Sequence, residues 1–331
     1  MALLVLALVV SLGLNVGLFF GRMELGVGME SGLSTARPKK RMSEVTVESP
    51  KAATRDKIVH IDLDGIISSV EMSGLFSDAM PSMSSIKHAL EQAVEDKNVK
   101  AVVLRINSPG GEVTASDILY NAVKKAAKEK PVVVYMDSMA ASGGYYVAVA
   151  AERITARRTT ITGSIGVIMS AWNFAEAAKK LGIDQIAIKS DRTPFKDILS
   201  PTRPMRDEER AMLTGIVDEL YDQFVSVVDE GRKNLDRAQV LAAATGAVYT
   251  AGQARDLGLI DEIGDLESVR EWFVSQLGGD VEIVEMRRRP GLGELLFGGV
   301  PGVTAPQPDL AQRLLLNSTG PRFLYFWQGG R

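Results

Sequence analysis

The chain changes its hydrophobic pattern several times. Ala2 to Phe20 is an uncharged, mostly apolar run, broken only by Ser11, Asn15 and glycines. It has the length of a helix that crosses a bilayer once. A cleaved secretory signal is the alternative reading, although no basic region precedes the run. From Glu24 to about Lys57 the sequence is Gly, Ser, Pro and charge without periodicity, as in a tether. Order resumes at Lys57–Ile67, where alternation followed by an apolar run predicts a strand.

Beyond it, 69–85 reads as an exposed loop with Met72, Met80 and Met83 among serines, and 86–96 as a helix with His88 on its solvent side. The apolar strand 100–107 runs into Ser108-Pro109-Gly110-Gly111 and then a helix over 114–128. A second such unit follows, from the run Val132–Met136 to Ser142 and the packed stretch 145–151. Two strand–turn–helix units in succession predict a right-handed crossover and a parallel sheet covered by helices. In such sheets functional groups gather beyond the carboxyl ends of the strands, where both glycine turns lie.

A third apolar segment, 162–169, precedes an amphipathic helix over 174–181 and a predicted strand over Asp184–Lys189. Residues 190–206 then read as a loop with three prolines and Lys196 at its centre. A long amphipathic helix from Asp207 to about Lys233 has the look of an assembly or outer packing element. Short helices over 237–244 and 251–257, a turn and strand over 258–264 and a last helix over 266–277 complete the domain. The tail, from Met286-Arg287-Arg288-Arg289 to Phe323–Trp327, sets basic residues beside aromatics. That combination suits a membrane surface, a neighbouring subunit or its own domain.

Composition narrows the chemistry. The 331 residues carry a net charge of −3, which does not suggest a nucleic-acid-binding surface. There is no cysteine, so disulfides, thiolate metal sites and a cysteine nucleophile are excluded. The two histidines, His60 in the first strand and His88 in the helix after it, both precede Ser142.

Ser142 sits at a strand-to-helix junction, where backbone amides are unpaired and a developing oxyanion is best stabilised. As an isolated feature, a serine there is more simply a helix cap. A serine nucleophile needs a base, and with no histidine after Ser142 lysine is the remaining option, with Lys179, Lys180, Lys189 and Lys196 among those downstream. A lysine serves only when uncharged, which requires desolvation or nearby positive charge. Lys196, bracketed by Pro194, Phe195, Ile198 and Leu199, has the most apolar setting of the four.

Five ordered motifs carry a resemblance: the SPGG turn, the stretch 140–146, Thr162–Val167, the Phe195–Pro201 segment and the closing Ala254–Gly264. Together they resemble the signal peptide peptidase A family, membrane-bound Ser/Lys peptidases of the crotonase and Clp-protease superfold. The resemblance spans about 57–279. It implies an α/β fold built as a β-β-α superhelix with a parallel sheet, behind one transmembrane helix. The domains are then an anchor (1–21), a linker (22–56), the peptidase (57–279) and a tail (280–331) that docks on membrane or subunit. By the same resemblance Ser142 is the nucleophile, Lys196 the general base and Ser164 the hydroxyl that holds the lysine. Gly143 and Gly111 supply the oxyanion-hole amides, and no metal or cofactor is needed.

The implied substrates are hydrophobic peptides, signal peptides released after export. The implied assembly is a homo-oligomeric ring or dome with active sites near subunit boundaries. The implied location is the cytoplasmic membrane with the catalytic domain outside, against the bias of Arg22, Arg37, Lys39, Lys40 and Arg41 after the span. Two departures stand out: Asp191–Asp197 replaces a more basic lysine-loop pattern, and Ala247 follows Gly246 where a basic residue is common. A crotonase-like acyl-thioester enzyme and an inert membrane scaffold are the competing functional classes.

Overall fold

The computed structural model describes residues 42–50, 54–69, 83–287 and 323–326. The expected membrane span over 2–20 lies outside these residues, as do most of the expected linker and tail. Among the described residues no helix is long and apolar enough to cross a membrane.

In chain order the first elements are β1 Ser43–Glu48, β2 Lys57–Asp64, α1 Met83–Glu95, β3 Val99–Ser108, β4 Gly110–Glu112, α2 Val113–Ala127, β5 Val132–Ala141 and α3 Gly143–Ala148. They continue with β6 Arg153–Ala156, β7 Ile161–Gly163, β8 Ile168–Met169, α4 Ala175–Lys180, α5 Asp207–Gly231, α6 Arg237–Ala243 and β9 Val248–Thr250. The last are α7 Ala251–Asp256, β10 Glu262–Ile263, α8 Leu266–Leu277, β11 Glu282–Arg287 and β12 Phe323–Phe326.

The main sheet runs β1-β11-β2-β3-β5-β6-β10, with β7 on β5 and β9 on β7. From β11 to β10 the pairings are parallel, while β1 and β9 join antiparallel. The mixed α/β fold with a parallel sheet is therefore as expected. Strand β1 falls in the stretch read as linker, and β11 and β12 fall in the stretch read as tail, yet all three join sheets of the domain.

Alternation along β3 explains how the sheet is covered on both faces. Val102, Leu104 and Ile106 point into the larger core with Leu119 and Val123 of α2 and Tyr145 of α3. Ala101 and Val103 point the other way, against Val269 and Phe273 of α8. Arg105, next on that second face, binds Asp62, Asp64 and Asp137 instead of a covering helix.

A bulge between β3 and β5 matters most for the site. Ile106 pairs with Met136, but Ser108 pairs with Ala140, so β5 carries extra residues. The first half of β5 pairs with β6 and its second half with β7. The strand is thereby steered away from β6 and delivers Ser142 beside Gly163.

The predicted strand over Asp184–Lys189 does not form. Residues 183–190 are without regular structure, and Ile186 and Ile188 are 84% and 96% exposed. Among the described residues their alternation has no neighbouring strand on which to pair.

Candidate active site

Strand β5 ends at Ala141 and α3 begins at Gly143, so Ser142 stands at a strand-to-helix junction, as the sequence predicts. The helix-cap reading of this serine fails: its side chain makes no cap hydrogen bond. Its backbone stands at φ +53°, ψ −116°, a conformation that costs a non-glycine residue about 1–3 kcal/mol. The turn is held by main-chain bonds on both sides. Ser142 N donates to Gly163 O at 2.8 Å, and Tyr146 N donates to Ser142 O at 2.8 Å. The residue is 1% exposed, and among the described residues its Oγ has no hydrogen-bond partner. A strained, buried, unpartnered hydroxyl at a sharp strand-to-helix turn is poor structural design and good nucleophile geometry.

Glycines crowd around it for steric reasons. Gly110 has φ +99°, and a methyl group there would fall 2.6 Å from Gly143 N and 2.1 Å from Tyr325 O. A methyl on Gly111 would fall 1.8 Å from Ile67 O, because Ile67 N and Glu112 N clamp this turn to the neighbouring loop at 2.9 and 2.8 Å. Gly143 would meet Ser116 Oγ at 2.4 Å. The expected oxyanion-hole positions Gly111 and Gly143 thus lie in one close-packed cluster with Ser142. Gly110 belongs to it too, which the sequence reading missed, although the Gly-Gly pair was the available signal.

Ser164 follows β7 as Ser142 follows β5, and the register Ala141↔Gly163 makes the two serines neighbours at adjacent strand ends. Ser164 also has positive φ, +51°, is buried, and donates its amide to Ala247 O at 2.7 Å. A cavity of about 540 Å³ opens beside it, lined by Val167, Val217, Tyr221, Thr245 and Phe326 among others.

Of the four lysine candidates, Lys179 and Lys180 are exposed on α4. Lys189 is committed to Asp197 and to Pro194 O. Lys196 is exposed, and its amine makes no hydrogen bond or ion pair among the described residues. Within one subunit, then, the structure gathers Ser142, Ser164, Gly111 and Gly143 but does not pair Lys196 with Ser142. His60 lies in β2 near Asp62 and His88 in α1, neither of them paired with Ser142.

The tail supplies the largest surprise. Strand β12 lies between β4 and β8, antiparallel to both, with Tyr325 opposite Gly111 and Leu324 opposite Ile168. Tyr325 is fully buried, its ring 4.9 Å from Tyr146 and 4.7 Å from Phe224, and its hydroxyl donates to Leu220 O at 2.9 Å. Burial pushes the phenol of Tyr325 well above its ordinary range. An extended peptide segment therefore occupies the groove beside the glycine cluster, with a side chain in a deep aromatic pocket. The sequence marked this segment only by its aromatics, because its strand partners lie 154 or more residues away.

The sequence profile described as peptidase family S49 matches residues 124–278. A relative from Synechocystis sp., named as a protease, is 38% identical over 236 residues, covering 71% of this chain and 80% of its own. A relative from Enterococcus faecium, named as a signal peptide peptidase SppA, is 37% identical over 67% of this chain and 64% of its own. Among solved structures, a ClpP1 variant from Listeria monocytogenes aligns at a TM-score of 0.41 and 15% identity, over 63% of this chain and 92% of that one. With a strained, buried serine at its strand-to-helix turn and these relatives, the chain belongs to peptidase family S49, the signal peptide peptidase A family, and is a serine peptidase.

Proposed function

We propose that this protein is a membrane-anchored endopeptidase that cleaves hydrophobic peptides, signal peptides among them, with Ser142 as nucleophile and Lys196 as general base. The observation that carries the reading is Ser142: strained, buried, without a hydrogen-bond partner for its Oγ among the described residues, and flanked by Gly111 and Gly143. Uncharged Lys196 takes the Ser142 proton as Oγ attacks the peptide carbonyl. The amides of Gly143 and Gly111 hold the oxyanion. As the tetrahedral intermediate collapses, the lysine gives its proton to the leaving amine, and an acyl-enzyme forms. Lys196 then deprotonates a water that releases the peptide acid. Ser164 holds the lysine amine in line, beside a cavity wide enough for a lysine side chain.

Because Lys196 is exposed and makes no pairing among the described residues, we infer that the dyad is completed between copies of the chain in a ring or dome. The exposed Trp172, Phe174, Ile183, Ile186 and Ile188 on the segment leading to Lys196 favour such an assembly. The Clp-protease-like β-β-α repeat is supported by the two strand–turn–helix units that end at α2 and α3. Substrates bind as an added strand between β4 and β8, where β12 lies, with an apolar or aromatic side chain against Tyr146 and Phe224. The apolar run over 2–20 holds this site at the cytoplasmic membrane, with the catalytic domain outside, where such fragments are concentrated.

A fluorophosphonate probe tests the assignment. Wild-type protein is labelled at Ser142, whereas Ser142→Ala and Lys196→Ala are not and do not hydrolyse apolar peptides. Turnover close to wild type in either variant overturns the reading.

A further inference from the structure

We propose that Asp197, Arg203, Glu209 and Lys189 are positioning residues for Lys196: they fix its loop on both sides and keep the nearby carboxylates bound to other cations. This rests on the reading of Lys196 as the base, and it assigns a task to charges that reading leaves unused.

Residues 184–206 contain no helix or strand, and most of them are exposed. A base carried on such a segment needs anchors, and they occur on either side of it. Before Lys196, Pro194 O accepts from Lys189 Nζ at 2.8 Å and from Arg206 Nη2 at 2.6 Å. After it, the Asp197 carboxylate accepts from Lys189 Nζ and from Arg203 Nε, the latter at 3.0 Å. Arg203 Nη2 also reaches Asp197 O at 2.9 Å. Arg203 then passes the load to a rigid element, since its guanidinium grips both oxygens of Glu209 in the first turn of α5. Glu209 has a fully buried side chain and accepts from Arg206 N at 3.0 Å. Two-pronged arginine–carboxylate pairs are directional, unlike ordinary surface pairs.

Helix capping explains the bond from Arg206 N to Glu209. It does not explain why Arg203 spends its other edge on Asp197, or why Lys189 bridges Asp197 and Pro194. The charges supply a reason. Residues 184–206 carry Lys189, Arg192, Lys196, Arg203 and Arg206 against Asp184, Asp191 and Asp197, and of the carboxylates Asp197 and Glu209 of α5 are bound by these cations. Asp191 and Arg192 on the same loop offset each other, and Asp207 and Glu208 at the exposed start of α5 make no pair with Lys196. A free carboxylate beside a lysine stabilises the ammonium form and works against a base, whereas surplus positive charge favours the free amine. Lys189 and Arg203 keep Asp197, the immediate neighbour of Lys196, from playing that part.

The experiment is the pH–rate profile of the full chain on a fluorogenic apolar peptide. Lys189 lies on an exposed segment, so Lys189→Met should leave folding intact. We expect its activity limb to move to higher pH by on the order of half a unit to one unit. Lys189→Arg should keep the wild-type limb, and adding Asp197→Asn to Lys189→Met should bring the limb back. Arg203→Gln should shift the limb further. A uniform fall in rate at every pH, with an unmoved limb and no recovery in the double variant, overturns the proposal. The two readings fail differently: a dead Lys196→Ala with an unmoved limb removes only the positioning role. An active Lys196→Ala removes the base assignment and this proposal with it.

Discussion

The amide of Ser142 donates to the carbonyl of Gly163 at 2.8 Å, and this one bond ties the Ser142 turn to the strand end that presents Ser164. It holds Ser142 at a φ of +53°, which glycine adopts without penalty and alanine does not. Ser142→Gly and Ser142→Ala should both be inactive, but the glycine variant should be the more stable, by about 1 kcal/mol. Paired denaturant titrations measure the difference. Equal stabilities would show that the turn stores no strain.

Gly111 packs against Ile67 O with no space for a side chain. Gly111→Ala must move β4 and its amide, so kcat should fall by about 10²–10³-fold with a smaller change in KM. Steady-state kinetics on one peptide suffice, and a kcat within a factor of a few of wild type would remove Gly111 from the oxyanion site.

Tyr325 fills the pocket formed by Tyr146 and Phe224, so the tail competes with any peptide that binds there. Removing residues 323–331 should raise kcat/KM for short peptides by about an order of magnitude through freed sites. Tyr325→Ala should also lower stability, by about 3–5 kcal/mol if the emptied pocket does not collapse. An unchanged kcat/KM in the truncated chain would place the substrate elsewhere.

Arg232 is 4% exposed and binds both oxygens of Asp261, at 3.0 and 2.7 Å, joining the end of α5 to the strand that closes the sheet. Burial pushes the Asp261 carboxyl up, but the bonds and charge of Arg232 outweigh it and hold it below the ordinary carboxylate range. A carboxyl lowered in the folded state contributes stability above its unfolded value, and that contribution is lost as pH falls through the folded value. Arg232→Met should therefore cost about 3–5 kcal/mol near neutrality. The gap between Asp261→Asn and wild type should close as pH drops below about 4. Thermal unfolding across pH checks both, and a gap independent of pH would deny the linkage.

Much of this was legible locally. Helix α8 over Leu266–Leu277 follows from its spacing, and α5 from its long amphipathic repeat. The junction at Ser142 follows from a strand pattern meeting a packed helix. The loss of a strand over 184–189 was not legible, because alternation states what a segment can pair with and not whether a partner is there.

What the chain determined by itself is the set of chemical parts: a serine at a turn, glycines where no side chain fits, lysines as the only amines downstream, and no cysteine. Those follow from residue type and short-range backbone preference. What only the tertiary structure decided is which parts meet. The bulge in β5 set Ser142 beside Gly163, β12 came back to fill the groove, and Lys189 rather than Lys196 received the carboxylate of Asp197. Such contacts join residues far apart along the chain, and they depend on the burial free energy of the whole core, which no local pattern encodes.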